Sequence, residues 1–120
     1  MGKKILICDD EVDTHLLVKA ALNKHDVEFI SVEDGDKAVE AVKNNQPDLV
    51  IMDYMLPSMD GLMTVKDIKK LVADMPVIFM TGINIDPGEK QDIDELVDTY
   101  LVKPFDYREL VSTVEKLLNI

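Results

Sequence analysis

The sequence predicts an α/β fold in which five buried parallel strands alternate with helices in one doubly wound sheet. Five short apolar runs are separated by segments of helical periodicity, and this alternation is typical of a parallel sheet with helices on both faces. The chain has 120 residues and is 47% hydrophobic, which fits a single domain. Five strand–helix units in this length favour the strand order 2-1-3-4-5, so we expect one domain over residues 1–120.

The predicted strands are short and rich in Val, Ile, Leu, Phe and Met, as in strands that are buried on both faces. They cover residues 4–8, 27–32, 49–52, 76–80 and 100–102. This (βα)5 arrangement is of the flavodoxin-like kind.

Helical periodicity and start signals occupy the intervals between these strands. Asp34-Gly35 and Asp60-Gly61 are suited to helix N-termini, and Asp106 with Glu109 forms a capping box. Apolar stripes at helical spacing run through Leu17, Val18, Ala21 and Leu22; Ala38, Val39 and Val42; Leu62, Val65, Ile68 and Val72; and Leu110, Val111, Val114, Leu117 and Leu118.

The fourth helical segment has a start signal but a weak apolar pattern. Asp86 before Pro87 predicts an N-cap, with Glu89 completing a capping box. Gly88 and a sparse apolar stripe lower its helix propensity, so we expect a short or mobile helix.

Charge and composition exclude several classes of function. The formal net charge is −11, and the basic residues are scattered, which argues against direct binding to nucleic acid or an anionic membrane. No apolar run approaches the length of a membrane span. One cysteine cannot form an internal disulfide, so a reducing, cytoplasmic location is expected.

Polar residues interrupt the apolar runs at the carboxyl ends of four predicted strands. Asp9 and Asp10 follow the first strand, Asp53 the third, Thr81 the fourth and Lys103 the fifth. Ligands of such sheets bind at this edge, so these side chains are predicted to share one site.

The chemistry of this set points to a divalent cation and a phosphoryl group. Three carboxylates suit a hard cation, most simply Mg²⁺, and a lysine with a threonine hydroxyl can bind phosphoryl oxygens. A carboxylate in the same pocket can be the nucleophile, which would give an aspartyl phosphate. Asp53, on the central strand, is the best placed.

Four motifs resemble the receiver domain of two-component response regulators, the CheY-like family. They are ILICDDE, DLVIMDYMLPSMDG, PVIFMTG and YLVKPF, and the resemblance extends from residue 4 to residue 118. It implies that Asp53 is phosphorylated in a Mg²⁺-dependent reaction. The Mg²⁺ ligands would be Asp10, Asp53 and the backbone carbonyl of Met55, with Asp9 acting nearby or through water.

The resemblance also implies roles for the residues that follow the last two strands. Thr81 and Lys103 would each bind a phosphoryl oxygen, and the Lys103-Pro104 peptide would be cis. Tyr100 occupies the position of the family's switch aromatic residue, whose ring turns inward when Thr81 shifts toward the phosphate.

The implied partners are a sensor histidine kinase or phosphotransfer protein and a downstream protein or effector domain. The domain would phosphorylate and dephosphorylate only itself, as a monomer or a weak phosphorylation-dependent dimer. The output surface would comprise the fourth helix, fifth strand and fifth helix.

Other interpretations of the same residues are a metal-dependent phosphatase of the haloacid-dehalogenase type and a flavodoxin-like cofactor carrier. The phosphatase requires a second acid where Met55 stands, and the carrier requires a Ser/Thr/Gly loop where Asp9 and Asp10 stand. The two histidines, His15 and His25, are expected on the surface.

Overall fold

The computed structural model describes residues 2–56, 60–82 and 87–120, and it contains one five-stranded sheet. All pairings are parallel and the strand order is β2-β1-β3-β4-β5, as predicted. The strands are β1 (Lys3–Cys8), β2 (Val27–Val32), β3 (Leu49–Asp53), β4 (Val77–Thr81) and β5 (Thr99–Val102). Their bounds differ from the predicted ones by one residue or none.

A helix follows each strand: α1 (Val12–Ala21), α2 (Gly35–Asn45), α3 (Gly61–Leu71), α4 (Pro87–Leu96) and α5 (Tyr107–Leu118). Three predicted N-caps are confirmed, because the carboxylates of Asp34, Asp60 and Asp106 accept backbone N–H bonds in the first turns of α2, α3 and α5. Such bonds satisfy donors that the helix itself leaves unpaired.

Two apolar clusters cover the two faces of the sheet. Alternate side chains of each central strand enter opposite clusters, as the two-residue period of a strand requires. Leu6, Val50 and Phe79 pack beneath α2, α3 and α4, whereas Ile5 and Ile78 pack beneath α1 and α5. Strands β3 and β4 are buried along their whole length, so they are a rigid support for the residues at the carboxyl ends of the strands.

Two expectations about the helices require correction. Helix α4 has ten residues, as many as α1, so it is not short, whereas the alternative expectation of a mobile helix stays a prediction. Its predicted cap Asp86 lies outside the described residues. Leu17 was assigned to the buried stripe of α1 but is 47% exposed. In the described ranges, no helix is long and apolar enough to cross a membrane.

Candidate functional site

The polar residues predicted to converge do lie at one edge of the sheet. In the parallel register Cys8 pairs with Met52, Asp53 with Met80 and Thr81 with Val102. The residues that follow β1 and β5, and those that end β3 and β4, therefore reach the same level.

Three carboxylates form the centre of this site. One carboxylate oxygen of Asp9, one of Asp10 and one of Asp53 lie within 4.8 Å of one another. Asp9 is fully buried and Asp53 is 5% exposed, whereas Asp10 is exposed. The cluster is therefore held by the protein on one side and open to solvent on the other.

Lys103 is the cation that contacts these acids. Its Nζ donates to Asp9 Oδ2 at 2.8 Å and lies 3.5 Å from Asp53 Oδ1. Glu11 Oε1 is farther away, at 3.9 Å. Burial alone would lower the pKa of Lys103, but the hydrogen bond to Asp9 and the charge of Asp53 raise it above its usual value. Lys103 therefore stays an ammonium at neutral pH.

The two buried carboxylates respond differently to their surroundings. Burial and the charge of Asp9 raise the pKa of Asp53 to about 6, against the opposing effect of Lys103. Burial also acts to raise the pKa of Asp9, but its hydrogen bonds with Lys103 and the Glu11 N–H lower it below the usual value. Lys103 thus compensates Asp9 more fully than Asp53, and the site retains excess negative charge.

This donor set fits a hard divalent cation. Carboxylate oxygens are the ligands that Mg²⁺ prefers, and it retains several waters when bound. The exposed side of the cluster leaves access for such waters, and the uncompensated charge of Asp53 gives a cation an electrostatic reason to bind there.

Thr81 and Met55 complete the surroundings of Asp53. Thr81 is fully buried, and its Oγ1 has no hydrogen-bond partner in the part of the chain that the structure describes. A buried hydroxyl without a partner is costly, so a group that accepts or donates a hydrogen bond there would be favoured. The backbone N–H of Met55 donates to Asp53 Oδ1 at 3.3 Å, and Met55 is 70% exposed.

Tyr100 and Pro104 lie on either side of Lys103 in the chain. The Lys103-Pro104 peptide is cis. Tyr100 is partly buried on β5 and packs against the cluster beneath α2, α3 and α4. The Nζ of Lys90, on α4, lies 5.8 Å from the centroid of its ring. The ring of Tyr100 on β5 thus lies close to α4.

Two residues that the sequence did not identify lie against the acidic cluster. His15 was expected on the surface but is 8% exposed, and its Nε2 lies 2.8 Å from the carbonyl oxygen of Asp9. Gly61 was recognised only as a helix start. A Cβ built at Gly61 would overlap the carbonyl oxygen of Asp53, so the backbone carrying Asp53 requires glycine there.

The second histidine and the cysteine lie apart from this chemistry. His25 is also not a free surface residue, because its Nε2 lies 2.9 Å from Glu115 Oε2 and joins the turn before β2 to α5. Cys8 is fully buried, and burial raises the pKa of its thiol to about 12. The thiol is therefore an inert part of the core.

Comparisons with known proteins agree with this geometry. The family described as "Response regulator receiver domain" matches residues 5–115. The phosphate regulon transcriptional regulatory protein PhoB of Pseudomonas aeruginosa is 32% identical over 99% of this chain and 53% of its own length. The alkaline phosphatase synthesis transcriptional regulatory protein PhoP of Bacillus subtilis is 30% identical over 99% of this chain and 50% of its own. The chain thus spans about half the length of these curated relatives.

Solved structures show the same fold over the whole chain. The receiver domain of the Francisella response regulator 1452 has a TM-score of 0.86 at 26% identity, covering 98% of this chain and 97% of that one. A putative response regulator from Chloroflexus aurantiacus has a TM-score of 0.88 at 28% identity, covering 100% of both chains.

Proposed function

Because the chain belongs to the response regulator receiver domain family of two-component signalling, we propose that it accepts a phosphoryl group on Asp53 from a phosphohistidine of a partner protein. The observation that carries this assignment is the position of Asp53, nearly buried among Asp9, Asp10 and Lys103 at the carboxyl edge of the sheet. The donor would be a sensor histidine kinase or a phosphotransfer protein.

The residues that would hold Mg²⁺ are Asp9, Asp10, Asp53 and the backbone carbonyl of Met55. Clustering of the three carboxylates supports this set. When bound, the cation would neutralise negative charge on the carboxylates and on the phosphoryl oxygens.

Phosphoryl transfer requires little covalent chemistry from the protein beyond a positioned nucleophile. A carboxylate oxygen of Asp53 forms a bond to phosphorus while the phosphorus–nitrogen bond of the donor breaks, and the electron pair returns to the donor imidazole. The product is an acyl phosphate on Asp53. The Lys103 ammonium, 3.5 Å from Asp53 Oδ1, is positioned to bind a phosphoryl oxygen.

The new charge would change the balance between two arrangements of the domain. A phosphoryl group adds roughly −1.5 to −2 charge and strong acceptor oxygens. The buried Thr81 hydroxyl lacks a partner among the described residues, so it would gain a hydrogen bond by moving toward the phosphate. Tyr100 would then turn inward, and the surface of α4, β5 and α5 would favour its second arrangement by a shift of population.

The output of this switch would be contact with a protein. The net charge of −11 opposes direct nucleic-acid binding by this domain. We propose a downstream protein or effector domain as the target, a cytoplasmic location, and a monomer or weak phosphorylation-dependent dimer. The relatives named above are transcriptional regulators, so an effector domain that controls transcription is one such target.

Intact-mass measurement after incubation with phosphoramidate, with and without Mg²⁺, tests this function. The wild type is expected to gain one phosphoryl group only with Mg²⁺, and Asp53→Ala to gain none. Asp74→Ala is the matched control, because Asp74 is exposed and lies outside the cluster. Equal phosphorylation of Asp53→Ala, or none of the wild type, would contradict the proposal.

A further inference from the structure

His15 is a buried polar residue directly beneath the acidic cluster. It lies in the first turns of α1 and is 8% exposed. Its Nε2 lies 2.8 Å from the carbonyl oxygen of Asp9. A carbonyl oxygen only accepts hydrogen bonds, so Nε2 must carry the hydrogen. The imidazole is thus a donor aimed at the backbone of the β1–α1 turn.

The hydrogen bonds of Asp9 show how completely this turn is held. Its N–H donates to the Val32 carbonyl at 3.2 Å. Its two carboxylate oxygens accept from the Glu11 N–H at 2.9 Å and from Lys103 Nζ at 2.8 Å. The His15 bond to its carbonyl accounts for the remaining polar group. Every polar group of this fully buried residue therefore has a partner, while the adjacent Asp10 is exposed.

We propose that His15 is a positioning residue for the divalent-cation site: its Nε2–H holds the Asp9 carbonyl so that Asp9 and Asp10 lie opposite Asp53. This inference rests on the proposed function, since it concerns the same cation. His15 does not touch the cation or the phosphoryl group. It acts through the peptide that joins the two acids.

Removing the donor would leave the buried Asp9 carbonyl without the hydrogen bond that it makes in the described part of the chain. Such a group is costly, and the turn can relieve the cost by moving toward water. That movement would carry Asp10, whose carboxylate must stay close to the oxygens of Asp9 and Asp53 to share a cation with them. Loss of a group that orients metal ligands typically weakens metal affinity by roughly 10- to 100-fold.

Two conservative variants separate hydrogen bonding from packing. The amide nitrogen of Gln reaches about as far as Nε2 of His, whereas the amide of Asn ends near the position of Nδ1. His15→Gln is therefore expected to preserve the bond to Asp9, and His15→Asn to lose it, although both remain polar. His25→Asn is the matched control, since His25 contacts Glu115 and lies just before β2, near the amino ends of the strands and away from the acidic cluster.

The experiment is a Mg²⁺ titration of the four proteins, followed by backbone amide resonances, with urea unfolding in EDTA measured in parallel. We expect the dissociation constant of His15→Asn to rise about tenfold or more. Those of wild type, His15→Gln and His25→Asn should agree within about twofold. Unfolding in EDTA checks that each variant is folded before affinities are compared.

The outcomes distinguish this inference from the proposed function. If the wild type binds Mg²⁺ and a folded His15→Asn binds it equally well, the positioning role is refuted while the receiver chemistry stands. If His15→Asn does not fold, the Mg²⁺ affinity of His15→Gln tests the proposal instead. A folded His15→Gln that binds Mg²⁺ tenfold more weakly than wild type refutes the positioning role of the Nε2–H donor. A folded His15→Gln with wild-type affinity supports that role. If the wild type shows no Mg²⁺ binding, both proposals fail together.

Discussion

Neutralising Asp53 should stabilise the cation-free protein at neutral pH. Asp53 is 5% exposed, and burial together with the charge of Asp9 raises its pKa from 3.8 to about 6. A carboxyl whose pKa is higher in the folded state binds more protons when folded than when unfolded between these two values. Stability therefore falls as the pH rises through this window. Asp53→Asn, which keeps the shape of the side chain and removes its charge, should recover the free energy of unfolding that the wild type loses as the pH rises.

The magnitude follows from the two pKa values. Their difference of about 2 pH units corresponds to about 3 kcal/mol at about 1.4 kcal/mol per unit. The charge of Asp53 destabilises the wild type by this full amount above pH 6. About half of this destabilisation remains at pH 5, where folded Asp53 is largely protonated. With a urea m-value of about 2 kcal/mol/M, the midpoint of Asp53→Asn at pH 7.5 should exceed that of wild type by roughly 1.5 M.

Urea unfolding in EDTA at pH 7.5 and pH 5, followed by circular dichroism, measures this difference. Asp74→Asn serves as the control, because it removes the same charge from an exposed position. The reasoning is refuted if Asp53→Asn is no more stable than Asp74→Asn at pH 7.5, or if its advantage is as large at pH 5. Adding Mg²⁺ should narrow the gap, because a ligand stabilises the form that binds it.

Three further predictions concern the surroundings of the site and the core. Gly61→Ala should destabilise the fold by about 1–3 kcal/mol and slow phosphorylation, because its Cβ would overlap the Asp53 carbonyl. Gly82→Ala should do neither in the same assays, because its Cβ would meet no atom of the described residues within 4 Å. Asp106→Ala should cost about 1 kcal/mol in urea unfolding, since Asp106 caps α5 through the Arg108 N–H. Cys8 should resist iodoacetamide at pH 8 until urea unfolds the protein, because it is fully buried; rapid alkylation of the folded chain, detected by mass, would contradict this.

The fold could be predicted because its two strongest signals are local. Strands buried on both faces need continuous apolar runs, and β3 and β4 have them. Helices need their first N–H groups satisfied, and Asp34, Asp60 and Asp106 do this. Local signals fail in helix α1, because it has more apolar residues than its core-facing side can bury. Leu16 and Leu17 are therefore 60% and 47% exposed.

The carboxylates and Lys103 could be predicted for a topological reason, whereas the residues that support them could not. Parallel strands bring their carboxyl ends to one edge, so a polar residue after each strand is enough to locate a site. The contact of His15 with Asp9 and that of Gly61 with the Asp53 carbonyl depend on how α1 and α3 pack against that edge. No spacing in the sequence encodes these distances, and an isolated histidine in a helix gives no sign of burial.

The resting contacts of Lys103 indicate why the proposed switch can be sensitive to phosphorylation. Its Nζ bonds Asp9 at 2.8 Å and lies 3.5 Å from Asp53, so one ammonium is shared between two buried carboxylates. The negative charge of Asp53 is therefore only partly compensated, and the Thr81 hydroxyl has no hydrogen-bond partner among the described residues. A phosphoryl group on Asp53 would supply acceptor oxygens at the point where these unmet interactions converge. New hydrogen bonds to the phosphoryl group would favour movement of Thr81 at the end of β4 and of Lys103 after β5. These two strand ends flank α4 in the chain. The same incomplete compensation that lowers the stability of the cation-free protein would therefore make its conformation depend on the state of Asp53.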